Sequence, residues 1–458
     1  MQRLYIIIFV FIYRHEFMSH IVIIGCGIIG ATLAYELSLI EGLKITVIDK
    51  QAPAQEATGA ALGVLMGIIS HKVKGKAWRM RQTSIQRYET LIPELEAITN
   101  WKLPVNRQGI LMLLPSPEVT IDDLSFWEKL RETRQNQGWE LNILDKSQLE
   151  KICPQVDVNN REYIGAIHSP QDRQLDPTAF TLALVEAAQH NGVDFKFGVS
   201  ALGIKSTSNQ QNSSARESES TNQQNSSARE SESTNQQNSS ARKLESTQSQ
   251  NSSARKLEST QSQNPSARES ESTNQQNPSA RELETTSGVI TADTFIICAG
   301  LGSSPLTEQL NQKVDIRPVL GQAIHLRLSH PLGKTKFQPA ITCNDTYIVP
   351  RRGDVYPATD YWVGATVEFT QDNGEIVADK ELLETTLQSA IATCPELAKA
   401  QIIDTWSGLR PRPEGRPAPV IEKLPGYDNV ILASAHYRNG VLLAPATAEM
   451  VKEMVLSG

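Results

Sequence analysis

Residues 20–37 read HIVIIGCGIIGATLAYEL, and the folding of this stretch decides the rest of the chain. Ile21 to Ile24 is a continuous apolar run, the pattern of a strand covered on both faces in a parallel sheet. Three glycines follow as Gly25-x-Gly27-x-x-Gly30, and Ile29, Leu33, Leu37 and Ile40 then recur at helical spacing. Gly42 closes that helix, and LKITVIDK supplies a second buried strand ending at Asp49. Strand, glycine turn, helix, strand and terminal acid form a βαβ unit suited to a dinucleotide. In such a unit Gly25 makes the tight turn, Gly27 lets the backbone approach a pyrophosphate, and Gly30 permits close helix–strand contact. The helix N-terminus offers free N–H donors and a favourable dipole to the anion. Asp49 sits where a carboxylate can accept hydrogen bonds from ribose hydroxyls. These residues alone leave open whether the dinucleotide carries a nicotinamide or a flavin.

The chain has 458 residues, room for about two domains. Its net charge of -7 provides no electrostatic footprint for nucleic acid or anionic lipid. Five cysteines, Cys26, Cys153, Cys298, Cys343 and Cys394, lie far apart without a CxxC pair. That usage points to a reduced, cytoplasmic protein with neither a disulfide framework nor a metal site. Near the start, the apolar run Leu4 to Tyr13 is shorter than the roughly 20 residues a membrane span needs. It also lacks a small-residue cleavage site. Met18 immediately precedes the first strand, so residues 1–17 are read as a doubtful extension, with translation expected to start at Met18.

From Asn209 to Thr286 a thirteen-residue unit, NQQNSSARESEST and its variants, recurs six times. A solenoid would need an apolar face on every unit, and this one offers only Ala and an occasional Leu. Residues 209–286 are therefore expected to be disordered, an expansion at the tip of a surface hairpin.

After Asp49 the βαβ pattern breaks off. There follow the small-residue run EATGAALGVLMG (56–67), helical text containing Trp78, Arg79 and Tyr88, strand-like GILMLL (109–114), and a polar helix around Phe126 to Gln135. Asp176-Pro177 opens another helix with an N-cap residue and a proline at the first helical position, and Asn191-Gly192 stops it. Past the repeat, Phe295 to Cys298 reads as a buried strand running into a glycine turn at Gly300. The nucleotide domain is thus expected to be discontinuous, with strands of another domain inserted.

Taken together these pieces resemble the D-amino-acid-oxidase-like flavoprotein family. Within it they are most similar to the glycine oxidases of thiamine (thiazole) biosynthesis. The resemblance rests on IVIIGCGIIGATLAYEL, TGAALGVL, RPVLGQAIHLRL, TYIVPRRGDVYPAT, WVGATVE, WSGLRPRPEGRPAPVI and ILASAHYRNGVLLAPATAEMV. It implies non-covalent FAD in a discontinuous Rossmann-like domain, 18–100, 160–208, 287–315 and 405–458. An inserted antiparallel-sheet substrate domain would comprise 101–159 and 316–404. Gly25, Gly27, Gly30, Asp49 and Gly300 would serve the dinucleotide. Thr58, Gly59, Ala60 and Ala61, with Asn439, Gly440, Val441 and Leu442, would approach the flavin.

The same resemblance implies oxidative deamination of glycine or a similarly small amino acid, with a hydride passing from Cα to flavin N5. Reoxidation by O2 would give peroxide, glyoxylate and ammonia. Arg410 matches the family's carboxylate-binding arginine, and its planar fork suits bidentate recognition. Without that match, an arginine beside prolines reads as a surface ion pair and Tyr347 as core packing. Tyr347 matches a tyrosine supporting the same carboxylate, and Arg438 an arginine near the active site. Val367 stands where a longer methionine usually lines the pocket, which widens the expected substrate range to sarcosine or small D-amino acids. The chain also stops sooner after its last helix than its relatives do. A membrane is not expected as a partner; thiazole synthase and a second copy of the chain are. Two other readings fit the motifs: a D-amino-acid dehydrogenase handing electrons to quinone, and a flavin-binding protein without turnover.

Overall fold

The computed structural model describes residues 19–116, 121–160, 163–206, 279–334, 336–351, 356–371 and 374–457. Residues 1–17 and the repeat as far as residue 278 lie outside the described residues, and so do the expectations placed on them.

Ile21 to Ile24 form the strand Ser19–Ile24, central in a six-stranded sheet. Both of its faces are covered, Ile21 and Ile23 joining one apolar cluster and Val22 and Ile24 another. It pairs in parallel with Leu43–Asp49 on one side and Thr294–Ile297 on the other. Asp194–Phe197 and Val430–Ser434 extend the parallel run, and Val420–Lys423 closes one edge antiparallel. The helix Ile28–Ser38 covers one face, packed against Pro177–His190 and the last helix, Gly440–Leu456. A Cβ on Gly30 would overlap the Gly25 carbonyl oxygen, so the glycine spacing is a steric requirement for the helix to lie this close. Asp176 caps Pro177–His190 as expected, its Oδ1 accepting from Thr178 N and Ala179 N at 3.0 Å each.

The second large sheet has nine strands. Glu368–Phe369, Ile316–Arg327, Asp360–Gly364, Thr346–Pro350, Ala340–Cys343, Ile110–Pro115, Tyr163–Ser169 and Asn142–Asp145 lie side by side in that order. The ninth strand, Gln401–Pro413, pairs antiparallel along the length of Ile316–Arg327. All its pairings are antiparallel except Ala340–Cys343 with Ile110–Pro115, so the sheet is mixed where a purely antiparallel one was expected. Tyr163–Ser169 and the Thr405–Pro413 part of Gln401–Pro413 belong to it, although 160–208 and 405–458 were assigned to the nucleotide part. Strand partnership is a long-range property that local text around 160 and 405 does not carry. With those boundaries moved, the architecture is the expected one: a discontinuous parallel-sheet core with an inserted sheet.

The repeat holds a second correction. Its last copy contributes Ala280–Thr285 as the middle strand of a small antiparallel sheet between Ala201–Ser206 and Gly288–Thr291. Ala280 and Leu283 are fully buried, Leu283 in a cluster with Ile204, Phe295 and Leu306. Asn429 brackets Ala280, its Oδ1 accepting from the Ala280 N–H and its Nδ2 donating to the Ala280 carbonyl. Copies with Ser at the leucine position, Ser218, Ser231 and Ser270, lack the side chain that makes this strand worth burying.

No helix among the described residues is long and apolar enough to cross a membrane. All five cysteines are buried and none is in a disulfide.

Candidate active site

A cavity of about 670 Å³ opens where the C-terminal ends of the parallel strands meet the large sheet. Its nucleotide end is walled by Gly25, Gly27, Asp49, Thr58 and Gly300, and its far end by Gly321, Ala323, Tyr347, Ala365, Arg410 and Arg438. Ala60, Ala61, Gly440, Val441 and Leu442 lie along it as well. Most of the expected site residues are thus brought to one space.

Some are not. Gly30 works underneath, where it lets the helix close on the strand. Gly59 and Asn439 do not reach the wall, and neither does Val367, expected to line the substrate pocket. Ala365, two residues earlier, takes that place.

At the nucleotide end the N-cap of the helix Ile28–Ser38 is Gly27, which brings no side chain to the first turn. Ile28 N donates to Thr58 Oγ1 at 3.0 Å. Asp49 is tied to the turn it faces: Oδ2 accepts from Cys26 N at 2.6 Å and Oδ1 from Gln51 N at 2.9 Å. Its carboxylate therefore fixes the glycine loop while retaining lone pairs for a further donor.

At the other end, Arg410 lies on Gln401–Pro413 opposite Val319. Nη1 donates to the carbonyls of Leu320 and Thr366, each at 3.0 Å. Among the described residues no carboxylate lies within ion-pair distance of it, and Nε and Nη2 have no protein partner. Burial first, and the charge of Arg438 second, lower its pKa from the usual arginine value. Arginine nevertheless stays protonated in proteins, so this is a partly buried cation with no acidic partner among the described residues.

A polar network fixes the Thr366 carbonyl. The buried Glu368 carboxylate accepts from the Thr366 hydroxyl, from Gln322 Nε2 at 2.9 Å and from Asp379 N at 2.7 Å. The Tyr347 hydroxyl points at Met66 Sδ, 3.6 Å away. The segment after Met66 is clamped from both sides. Asp172 accepts from the N–H groups of Gly67, Ile68 and Ile69, and buried Arg134 donates to the carbonyls of Ile68, Ser70 and Lys72.

One wall residue was missed by reasoning from sequence. His436 is buried, its Nε2 2.8 Å from Thr447 Oγ1, and burial depresses its pKa to about 3. It is a neutral group, flanked by Ala435 and Tyr437 at φ of 56° and 53°. The HYRNG motif marked the place, but nothing local showed that the histidine would be enclosed.

Comparisons with known proteins agree with this geometry. The FAD dependent oxidoreductase family profile matches residues 20–229 and 267–454. A bifunctional protein ThiO/ThiG of Synechocystis sp. is 26% identical over 449 residues, 96% of this chain and 52% of that relative. The chain therefore spans about half the length of that curated relative. A glycine oxidase of Bacillus licheniformis is 24% identical over 95% of this chain and 92% of its own length. Among solved structures, the glycine oxidase of Geobacillus kaustophilus superposes with a TM-score of 0.69 at 19% identity, covering 96% of this chain and 95% of that one. L-proline dehydrogenase from P. horikoshii gives 0.68 at 17%, covering 96% and 94%. These likenesses show a shared fold. The cavity fits a flavin dinucleotide: glycines without Cβ atoms at the turn, a helix N-terminus capped only by Gly27 on its own chain segment, and a mainly apolar continuation to the large sheet. By this match and this cavity the chain belongs to the FAD dependent oxidoreductase family, with FAD as its cofactor.

Proposed function

We propose that the protein oxidises glycine or a similarly small amino acid at Cα. The single observation carrying this reading is Arg410: a partly buried guanidinium with no carboxylate partner among the described residues, at the end of the cavity remote from the dinucleotide turn. A substrate carboxylate would satisfy Nε and Nη2 with the paired geometry that arginine provides. Tyr347, from the strand Thr346–Pro350 of the same sheet, lines the same cavity and would support the same carboxylate. Ala323 and Ala365 are among the residues lining that end of the cavity. His436, held neutral, adds no charge that would compete for the carboxylate.

FAD, when bound, supplies the two-electron acceptor for the Cα hydride and passes the electrons to O2. The balance is glycine, O2 and water to glyoxylate, ammonia and hydrogen peroxide. The chain's contribution is orientation: Arg410 fixes one end of the substrate so that Cα faces the cofactor end of the cavity. The bifunctional ThiO/ThiG relative supports a further reading, in which the imine serves thiazole synthesis with thiazole synthase as partner. Oxygen uptake tests the proposal. Glycine-dependent O2 consumption with equimolar peroxide, without added quinone, is expected; reduction of a quinone without O2 uptake would turn the assignment to a dehydrogenase.

A further inference from the structure

Two arginines line the same end of the cavity, yet they differ in how their charge is met. Arg410 has only carbonyls. Arg438, on the Tyr437–Asn439 turn before the last helix, has a carboxylate: its Nη2 donates to Asp345 Oδ1 at 2.6 Å. Asp345 stands on the two-residue connection between Ala340–Cys343 and Thr346–Pro350, two residues before Tyr347. Asn344 and Asp345 both have left-handed φ, 45° and 64°, the conformation a tight hairpin imposes and these residue types tolerate. The hairpin thereby delivers an acid from the large sheet to an arginine on the turn before the last helix. The Asp345 side chain is 64% exposed, so its carboxylate faces the water through which a substrate arrives.

We propose that Asp345 restricts this pocket to amines with a single carboxylate, by occupying Arg438 and leaving Arg410 as the unpaired guanidinium of the wall. The inference rests on the small-amino-acid reading above and specifies its substrate class. A monocarboxylate neutralises Arg410 and completes the charge of the site. A second carboxylate finds Arg438 already engaged and meets the Asp345 charge beside it. Arg410 and Arg438 line one cavity, and after burial the Arg438 charge is the next cause lowering the Arg410 pKa. Exposed ion pairs are weak, so neutralising Asp345 releases Arg438 at small cost.

The test uses FAD-loaded protein and two unreactive carboxylates, acetate and malonate, with affinity read by calorimetry. Asp345→Asn keeps a residue that tolerates left-handed φ and removes the charge. It is expected to tighten malonate relative to acetate by about tenfold, the scale of one charge-assisted hydrogen bond. The gain should shrink with added salt and vanish in the double variant Asp345→Asn with Arg438→Met. A malonate-to-acetate ratio within twofold of wild type would overturn the proposal, and so would an equal gain in the double variant. Failure of acetate to bind the wild type would overturn it as well, because Arg410 would then not be free. Turnover is not needed for this readout. Absence of glycine oxidation would count against the oxidase reading while leaving the selectivity of the two arginines measurable.

Discussion

Gly321 lies directly beneath the Arg410 guanidinium, and a Cβ at that position would occupy the same space as its terminal nitrogens. The two residues are on paired strands, Ile316–Arg327 and Gln401–Pro413, with Gly321 opposite Gly408. A flat guanidinium can lie across the sheet only where the strand beneath it offers no side chain. Gly321→Ala is therefore expected to displace Arg410 by about an ångström and lower kcat/KM for glycine by about a hundredfold, with FAD still bound. Steady-state kinetics together with the flavin content of the purified variant check this.

Glu368 acts one layer further back. Its carboxylate receives three donors and holds Thr366, whose carbonyl in turn receives Arg410. In Glu368→Gln one of those donors would face an amide NH2. A loss of about 1–3 kcal/mol in stability is expected, with a rise in KM accompanying it. Denaturant titration and kinetics on the same preparation separate the two effects.

His436 sets an acid limit on the fold. Its folded pKa, about 3, lies below the ordinary 6.5, so between those values the unfolded chain binds a proton that the folded chain refuses. This contribution to stability is fully present above pH 6.5 and is lost progressively as pH falls toward 3. His436→Gln should flatten the pH dependence of Tm across that window, measured by calorimetry. An unchanged slope would show that His436 is not the group responsible.

Leu283 anchors the strand Ala280–Thr285 in the apolar core. Leu283→Ser gives it the residue found at Ser218, Ser231 and Ser270 and removes its side chain from a closed cluster. A cost of about 2–5 kcal/mol is expected, the range for truncating a buried leucine. Hydrogen exchange of the amides in Ala201–Ser206 and Gly288–Thr291 would localise it.

These residues also show what was legible in the sequence. Ser19–Ile24 was readable because a strand buried on both faces needs unbroken apolar residues, and Asp176-Pro177 because a helix start is local chemistry. Arg410 and Tyr347 came from motif context, and their meeting at one end of a cavity follows from strand pairing that no window of sequence contains. Ala280–Thr285 was not legible. Two apolar side chains in a polar unit acquire value only from Asn429, Ile204 and Phe295, which are remote or hidden in sequence. Ala365 is in the cavity wall and Val367 is not, a difference set by how the segment between Asp360–Gly364 and Glu368–Phe369 runs past the cavity. The enclosure of His436 is likewise a tertiary fact, made by the last helix through Thr447.

The central claim is that Arg410 holds the carboxylate of a small amino acid against the flavin end of the cavity. Anaerobic titration of the FAD-loaded protein with glycine, following the visible flavin band, tests it most directly. The account predicts bleaching by glycine in the wild type and its loss in Arg410→Ala, with the flavin retained. Bleaching undiminished in Arg410→Ala, or a wild-type band unmoved by glycine, sarcosine and D-alanine alike, would contradict it.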